Sequence, residues 1–140
     1  MTSDPTSATS DVVYAIVVAT RETTGGREFL MVEHRTRGWE LPGGKLEGKE
    51  GPVHCALREF REETGHLLKE PRYVTKLHKD NGLCYIFTGN LGERVAVVED
   101  EAILAQEWFT HLPPRDRLAF PDDPYDVIGE ALGLEFTAAV

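Results

Sequence analysis

Cysteine is scarce in this chain of 140 residues: Cys55 and Cys84 are its only two. Two cannot make a disulfide scaffold or a cysteine-rich zinc site, and buried reduced thiols are the expectation. Long apolar runs are missing as well, none approaching the roughly eighteen residues of a membrane span. The opening MTSDPTSATSD has neither the basic region nor the apolar core of a secretory signal. Positive charge is in short supply, with 15 basic against 24 acidic residues and a formal net charge of −9. Without a basic run, non-specific binding to nucleic acid or to an anionic membrane is not expected. The histidines, at 34, 54, 66, 78 and 111, show no zinc-finger spacing. These absences point to a cytoplasmic protein with one domain over 11–140, preceded by a disordered tail over 1–10.

What is present begins with Val12 to Ala19, a continuous β-branched apolar run expected as a strand buried on both faces. A turn at 23–26 leads to a second strand, Phe29 to Val32, and then to a polar loop from His34 to Trp39. Gly51-Pro52 opens an amphipathic helix. Val53, Ala56, Leu57 and Phe60 form its apolar stripe, and Gly65 is its stop. Further strands are expected at Tyr73 to His78, Leu83 to Thr88, Val95 to Val98 and Glu107 to Thr110, with a turn at Asp80-Asn81-Gly82. A closing helix is predicted with Asp123 as cap and Pro124 in its first position; it ends near Leu132, before Gly133. About six strands and two helices predict an α+β fold, a mixed sheet flanked by helices.

On the first helix Glu59, Glu62 and Glu63 share one side, because residues three and four apart are surface neighbours. Their mean direction lies roughly 115° from the centre of the apolar stripe on a 3.6-residue wheel. The carboxylates therefore sit at the rim of the buried face rather than opposite it. Such crowding calls for either open water or a hard cation, and the rim position favours the cation.

Gly44, Glu50, Arg58, Glu59, Phe60, Glu62, Glu63 and Gly65 resemble the Nudix hydrolase signature, G-x5-E-x7-R-E-U-x-E-E-x-G-U, where U is a bulky apolar residue. At ordinary residue abundance the fixed positions would match by chance about once in 10^8 starts. The lead-in Trp39-Glu40-Leu41-Pro42-Gly43 is similar to the segment that precedes this box in the family. His66 departs from the pattern, standing where an aliphatic residue is usual.

The resemblance implies an α/β/α sandwich and a hydrolase for phosphorus anhydrides, cleaving a nucleoside diphosphate linked to another group by water attack on phosphorus. It implies Mg²⁺, or Mn²⁺ in its place, to neutralise charge and acidify a water. It makes Glu62 and Glu63 metal ligands, Glu59 a ligand or the general base, and the Gly43 carbonyl a further ligand. Arg58 belongs to the catalytic set by bracing the loop through Glu50, while Gly44 and Gly65 are structural. Relatives add a carboxylate from a later loop, for which Glu99 and Glu101 are candidates and Glu101 is preferred. Arg35, Arg37 and Lys45 are candidates for phosphate contacts. Tyr14, Trp39, Tyr85 and Phe87 are candidates for stacking a base, and Tyr85 is carried forward. The implied partner is a small nucleotide, with a nucleoside triphosphate favoured by chain size. Whether the protein is a monomer or a homodimer stays open. The alternatives are a non-catalytic Nudix-fold module that binds a nucleotide for regulation, and hydrolysis of ADP-ribose or a dinucleoside polyphosphate. Isomerase chemistry on an isoprenoid diphosphate is more remote.

Overall fold

The computed structural model describes residues 12–79, 82–95, 100–134 and 136. The tail over 1–10 and the turn residues Asp80 and Asn81 lie outside the described residues, as does the run 96–99. Seven strands form one mixed sheet: β1 (Val12–Thr23), β2 (Gly26–His34), β3 (Gly38–Glu40), β4 (Gly43–Lys45), β5 (His66–Lys79), β6 (Gly82–Arg94) and β7 (Ile103–Phe109). Helices α1 (Pro52–Thr64) and α2 (Tyr125–Leu132) cover its two faces.

The central pairing is parallel, β1 against β6, and β5 adds antiparallel to the outer edge of β6. On its other edge β1 meets β2 only at Thr20 to Thr23. Before that point the two strands diverge. The gap is filled by the returning chain, β3 pairing with β2 at Val32 to His34 and β4 with β1 at Tyr14 to Ile16. Strand β7 closes the far edge of β2.

The apolar run of β1 divides by parity, as a two-residue period requires. Ala15, Val17 and Ala19 face α1 and pack with Leu30, Cys55, Ala56, Phe60, Leu68 and Phe87. Val18 faces the other side and packs with Phe29, Met31, Ile86, Tyr125 and Ile128, under α2. Cys55 and Cys84 are both buried and outside any disulfide, one in each core, so the sheet stands between them.

Several expectations shift. Residues 38–40 are a strand rather than loop, because β2 offers them an unpaired edge. The strands around 73–78 and 83–88 extend well beyond those limits through cross-strand pairing, and the one expected at 107–110 begins four residues earlier and ends at Phe109, leaving Thr110 outside it. Val95 is not in a strand, and the remainder of the Val95 to Val98 strand falls outside the described residues. Helix α2 begins one residue later than predicted, with Pro124 as its N-cap, and ends at Gly133 in the left-handed conformation. Its buried set is Tyr125, Ile128 and Gly129; Ala131 is exposed. No helix of the described residues is long and apolar enough to cross a membrane.

Candidate functional site

The site forms where β4 lies against the N-terminal half of β1 and α1 packs above both. Gly44 is opposite Ala15 and Gly43 opposite Ile16. A Cβ on Gly43 would run into the Ala15 carbonyl and Ile16, and one on Gly44 would run into the Glu59 carboxylate. Only glycines let the strand sit this close to β1 while the helix lowers an acid onto it. The Val17 N–H donates to the Pro42 carbonyl at 2.8 Å. That bond puts Gly43 at the alternate register, where N–H and C=O face away from β1. Its N–H accordingly donates to Glu63 Oε1 at 3.0 Å.

Arg58 organises the rest. Its Nε and Nη2 donate to the two oxygens of Glu50 at 3.0 and 2.7 Å, a two-pronged pair that ties helix to loop. Nη1 donates to Glu59 at 2.9 Å and to Glu62 at 3.1 Å, and Nη2 also reaches the Lys45 carbonyl at 3.2 Å. Glu50 accepts the Glu47 N–H as well, at 2.8 Å. The loop over 45–50 is thereby held by one guanidinium.

The electrostatics divide these acids in two. The hydrogen bonds from Arg58 hold the Glu50 carboxyl down at about 2. Burial, followed by repulsion from Glu59, pushes the Glu63 carboxyl up to about 9, against the help of the Gly43 N–H. Burial also raises Glu59 to about 7, although Arg58 pulls the other way. Arg58 itself is held more firmly protonated than usual, chiefly by Glu50. Two crowded carboxyls in this state are short of positive charge. Among the described residues no three acid, histidine or cysteine side chains converge closely enough to chelate an ion. Glu63 is turned to Gly43, and Glu59 and Glu62 share Arg58.

The Glu50 shift has a consequence for acid stability. A carboxyl whose folded value is lowered stabilises the fold above its unfolded value of about 4.5, and that contribution is lost as pH falls towards 2. Glu50→Gln is expected to flatten the acid limb of the stability curve between these limits. Chemical denaturation at pH 3, 4, 5 and 7 measures it, and an unchanged limb would contradict the clamp.

Two cavities flank the Gly43–Glu63 contact. The smaller, about 360 Å³, is lined by Tyr14, Arg37, Glu40, Lys45, Phe120 and Tyr125, with both Gly43 and Gly44 at its wall. The larger, about 800 Å³ and open, runs from Glu62 and Glu63 past Arg94 and Asp100 to Leu104 and Gln106.

Arg37 and Lys45 thus lie beside the glycines, but Arg37 is paired with the buried Glu40 at 2.9 and 3.2 Å. Arg35 lines neither cavity; its guanidinium donates twice to the Glu101 carbonyl. Tyr85 packs near Tyr73 and Lys76 on the α1 face of the sheet, away from the smaller cavity. Glu101 is exposed and does not line the larger cavity, whereas its neighbour Asp100 does. Asp100 also contributes to raising Glu63. A turn over 100–103, with the Ala102 N–H donating to Asp100 Oδ1, sets which acid faces inward. Glu99 lies outside the described residues. Trp39 packs edge-on to Phe109 at 5.0 Å, and Phe87 is buried in the α1 core.

The unusual His66 has polar partners: its N–H donates to Thr64 Oγ1 at 3.1 Å and its Nδ1 lies 3.0 Å from the Gly92 carbonyl. An aliphatic residue there would leave that carbonyl without the imidazole. Sequence reasoning missed Glu40, Asp100, Arg94, Phe120 and Tyr125. Glu40 alone carried a local signal, as the acid of the lead-in segment.

A mixed sheet between two helices, with a glycine strand under an acid-rich helix rim, defines an α+β sandwich with its acidic site at one helix edge. The NUDIX domain family model matches residues 11–125, and the chain belongs to that family. It is 47% identical over 49 residues to a Bacillus subtilis protein provisionally named 8-oxo-dGTP diphosphatase YtkD, a match covering 35% of this chain and 31% of the relative. Against the ADP-ribose pyrophosphatase of Bacillus subtilis identity is 34% over 77 residues, covering 52% of this chain and 40% of the relative. The chain therefore matches well under half the length of these curated relatives. Among solved structures it is similar to the Bacillus subtilis pyrophosphohydrolase BsRppH, with a TM-score of 0.69 at 24% identity over 86% of this chain and 80% of that one, a likeness of fold.

Proposed function

We propose that this protein is a Mg²⁺-dependent pyrophosphohydrolase that cleaves a nucleoside diphosphate linked to another group, with a nucleoside triphosphate as the favoured substrate. We place the activity in one domain over 11–140. The observation that carries the reading is the gathering of Glu59, Glu62 and Glu63 around Arg58 and the Gly43 N–H, between two cavities. The donor set suits a hard cation, since every side-chain donor is a carboxylate oxygen and the Gly43 carbonyl shares the edge of its N–H. Bound there, Mg²⁺ neutralises phosphate charge and acidifies a water.

The chain's own residues do the remainder. Glu62 and Glu63 hold the cation. Glu59, with a carboxyl at about 7, can accept a proton near neutral pH, which suits it to serve as ligand or general base. Arg58 keeps helix and loop in register through Glu50. Lys45 offers positive charge to phosphate oxygens in the smaller cavity, with Arg37, tied to Glu40, on the same wall.

Purified protein assayed with Mg²⁺ against nucleoside triphosphates, ADP-ribose, nucleotide sugars and dinucleoside polyphosphates tests the reading. Turnover of at least one that stops on chelation is expected. Tight binding without any turnover would instead support a regulatory binding module.

A second consequence concerns protons. At pH 7 a carboxyl at about 9 is protonated and one at about 7 half so, and a cation displaces both protons. Metal binding at pH 7 is expected to release about one to two protons, and its affinity to rise from pH 6 to pH 9. Titration calorimetry in buffers of different ionisation enthalpy measures the release. An enthalpy independent of buffer would count against a cation on Glu59 and Glu63.

A further inference from the structure

The cations around the site are mostly committed. Arg58 is spent on Glu50, Glu59 and Glu62, Arg37 on Glu40, and Arg35 on the Glu101 carbonyl. Arg94 is different. It is exposed at the end of β6, and its side chain makes no hydrogen bond or ion pair among the described residues, although Glu62, Glu63 and Asp100 line the same cavity. Its position is well defined: β6 pairs Arg94 with His66, and the Val95 N–H donates to the Gly65 carbonyl at 2.9 Å. The strand end is thereby fastened to the C-terminus of α1. A Cβ on Gly65 would lie 3.9 Å from Arg94 Nη1, so the guanidinium stands beside the glycine that ends the acid helix.

We propose that Arg94 is a substrate-binding residue that holds the phosphate group beyond the scissile bond, the part of the nucleotide that leaves. The inference rests on the hydrolase reading above. The Gly43–Glu63 contact separates the two cavities, with Lys45 in the smaller and Arg94 in the larger. A polyphosphate crossing that contact meets a cation on each side, and an unpaired guanidinium can grip two oxygens of a phosphate at once. Three acids on the wall also disfavour an anion unless a positive charge faces it. Arg94 is the one cationic side chain lining the larger cavity among the described residues.

Binding of inorganic pyrophosphate in Mg²⁺, followed by calorimetry on the wild type, Arg94→Ala and Arg94→Lys, tests this apart from turnover. Arg94→Ala is expected to raise Kd about ten- to a hundredfold, and Arg94→Lys by less, since a point charge remains. On any substrate that is turned over, Arg94→Ala should raise KM more than it lowers kcat. Thermal midpoints close to wild type would show that neither variant acts through folding. Equal Kd in Arg94→Ala and wild type, or no pyrophosphate binding by the wild type, overturns the inference. Arg94-dependent binding without hydrolysis of any nucleotide keeps the anion site and removes the hydrolase reading.

Discussion

Glu63→Gln is expected to lower metal-dependent turnover by about three orders of magnitude while leaving the metal-free fold almost unchanged. The asymmetry comes from the state of the group. With its carboxyl at about 9, Glu63 is neutral at pH 7 in the metal-free protein. The amide is neutral as well, nearly the same shape, and can still accept the Gly43 N–H through its oxygen. What it cannot do is become an anion when a cation arrives. Glu62→Gln is expected to act in the same direction but less strongly, because Glu62 is nearly half exposed (46%) and water can replace one of its oxygens. Initial rates with Mg²⁺ alongside thermal unfolding of the metal-free proteins separate the two effects. Turnover within about threefold of wild type in both variants would remove these glutamates from the metal site.

Phe60→Ala should be the most damaging single change to the fold, at about 3–5 kcal/mol. The ring is fully buried and joins Cys55 and Ala56 of α1 to Val17 and Leu30 in the sheet and to Phe87 of β6. Alanine would leave a cavity in the core where the helix packs on β1 and β6. For a chain of this size the midpoint of thermal unfolding should fall by about 10–17 °C. Activity should fall further than stability at temperatures where the variant is still folded. Glu59 and Glu63 flank Phe60 on the helix, and a shift of the helix by part of an ångström moves them off Gly43 and Gly44. A loss below about 1 kcal/mol in urea titration would mean that α1 is anchored by other contacts.

These expectations draw on two kinds of information. The spacing of Glu50, Arg58, Glu59, Glu62 and Glu63 is a local property, and a period of 3.6 residues converts it directly into positions on a helix. The Arg58–Glu50 pair was legible only through the family resemblance, because Glu50 lies on the loop before the helix, where the helical period does not reach. Tyr85 shows where this stops. Alternation along β6 puts Tyr85 and Phe87 on one face and Cys84 and Ile86 on the other, but it does not say which face holds a cavity. Asp100 and Glu101 are adjacent acids with no periodic pattern around them. A turn bonded through the Asp100 side chain decided which one faces Glu63. Arg94 came from neither period nor composition, because its surroundings are set by residues far away in the chain.

The sequence alone determined the family, the two helices, the burial of β1 on both faces and the rim position of the three glutamates, all consequences of short-range patterns. Only the tertiary structure decided that β1 and β2 part company after four paired residues and that β3 and β4 enter the gap. That divergence brings Gly43 and Gly44 beneath the acid rim of α1, with a cavity on each side. Long-range strand pairing governs it, and no local pattern of residues encodes which edges will meet.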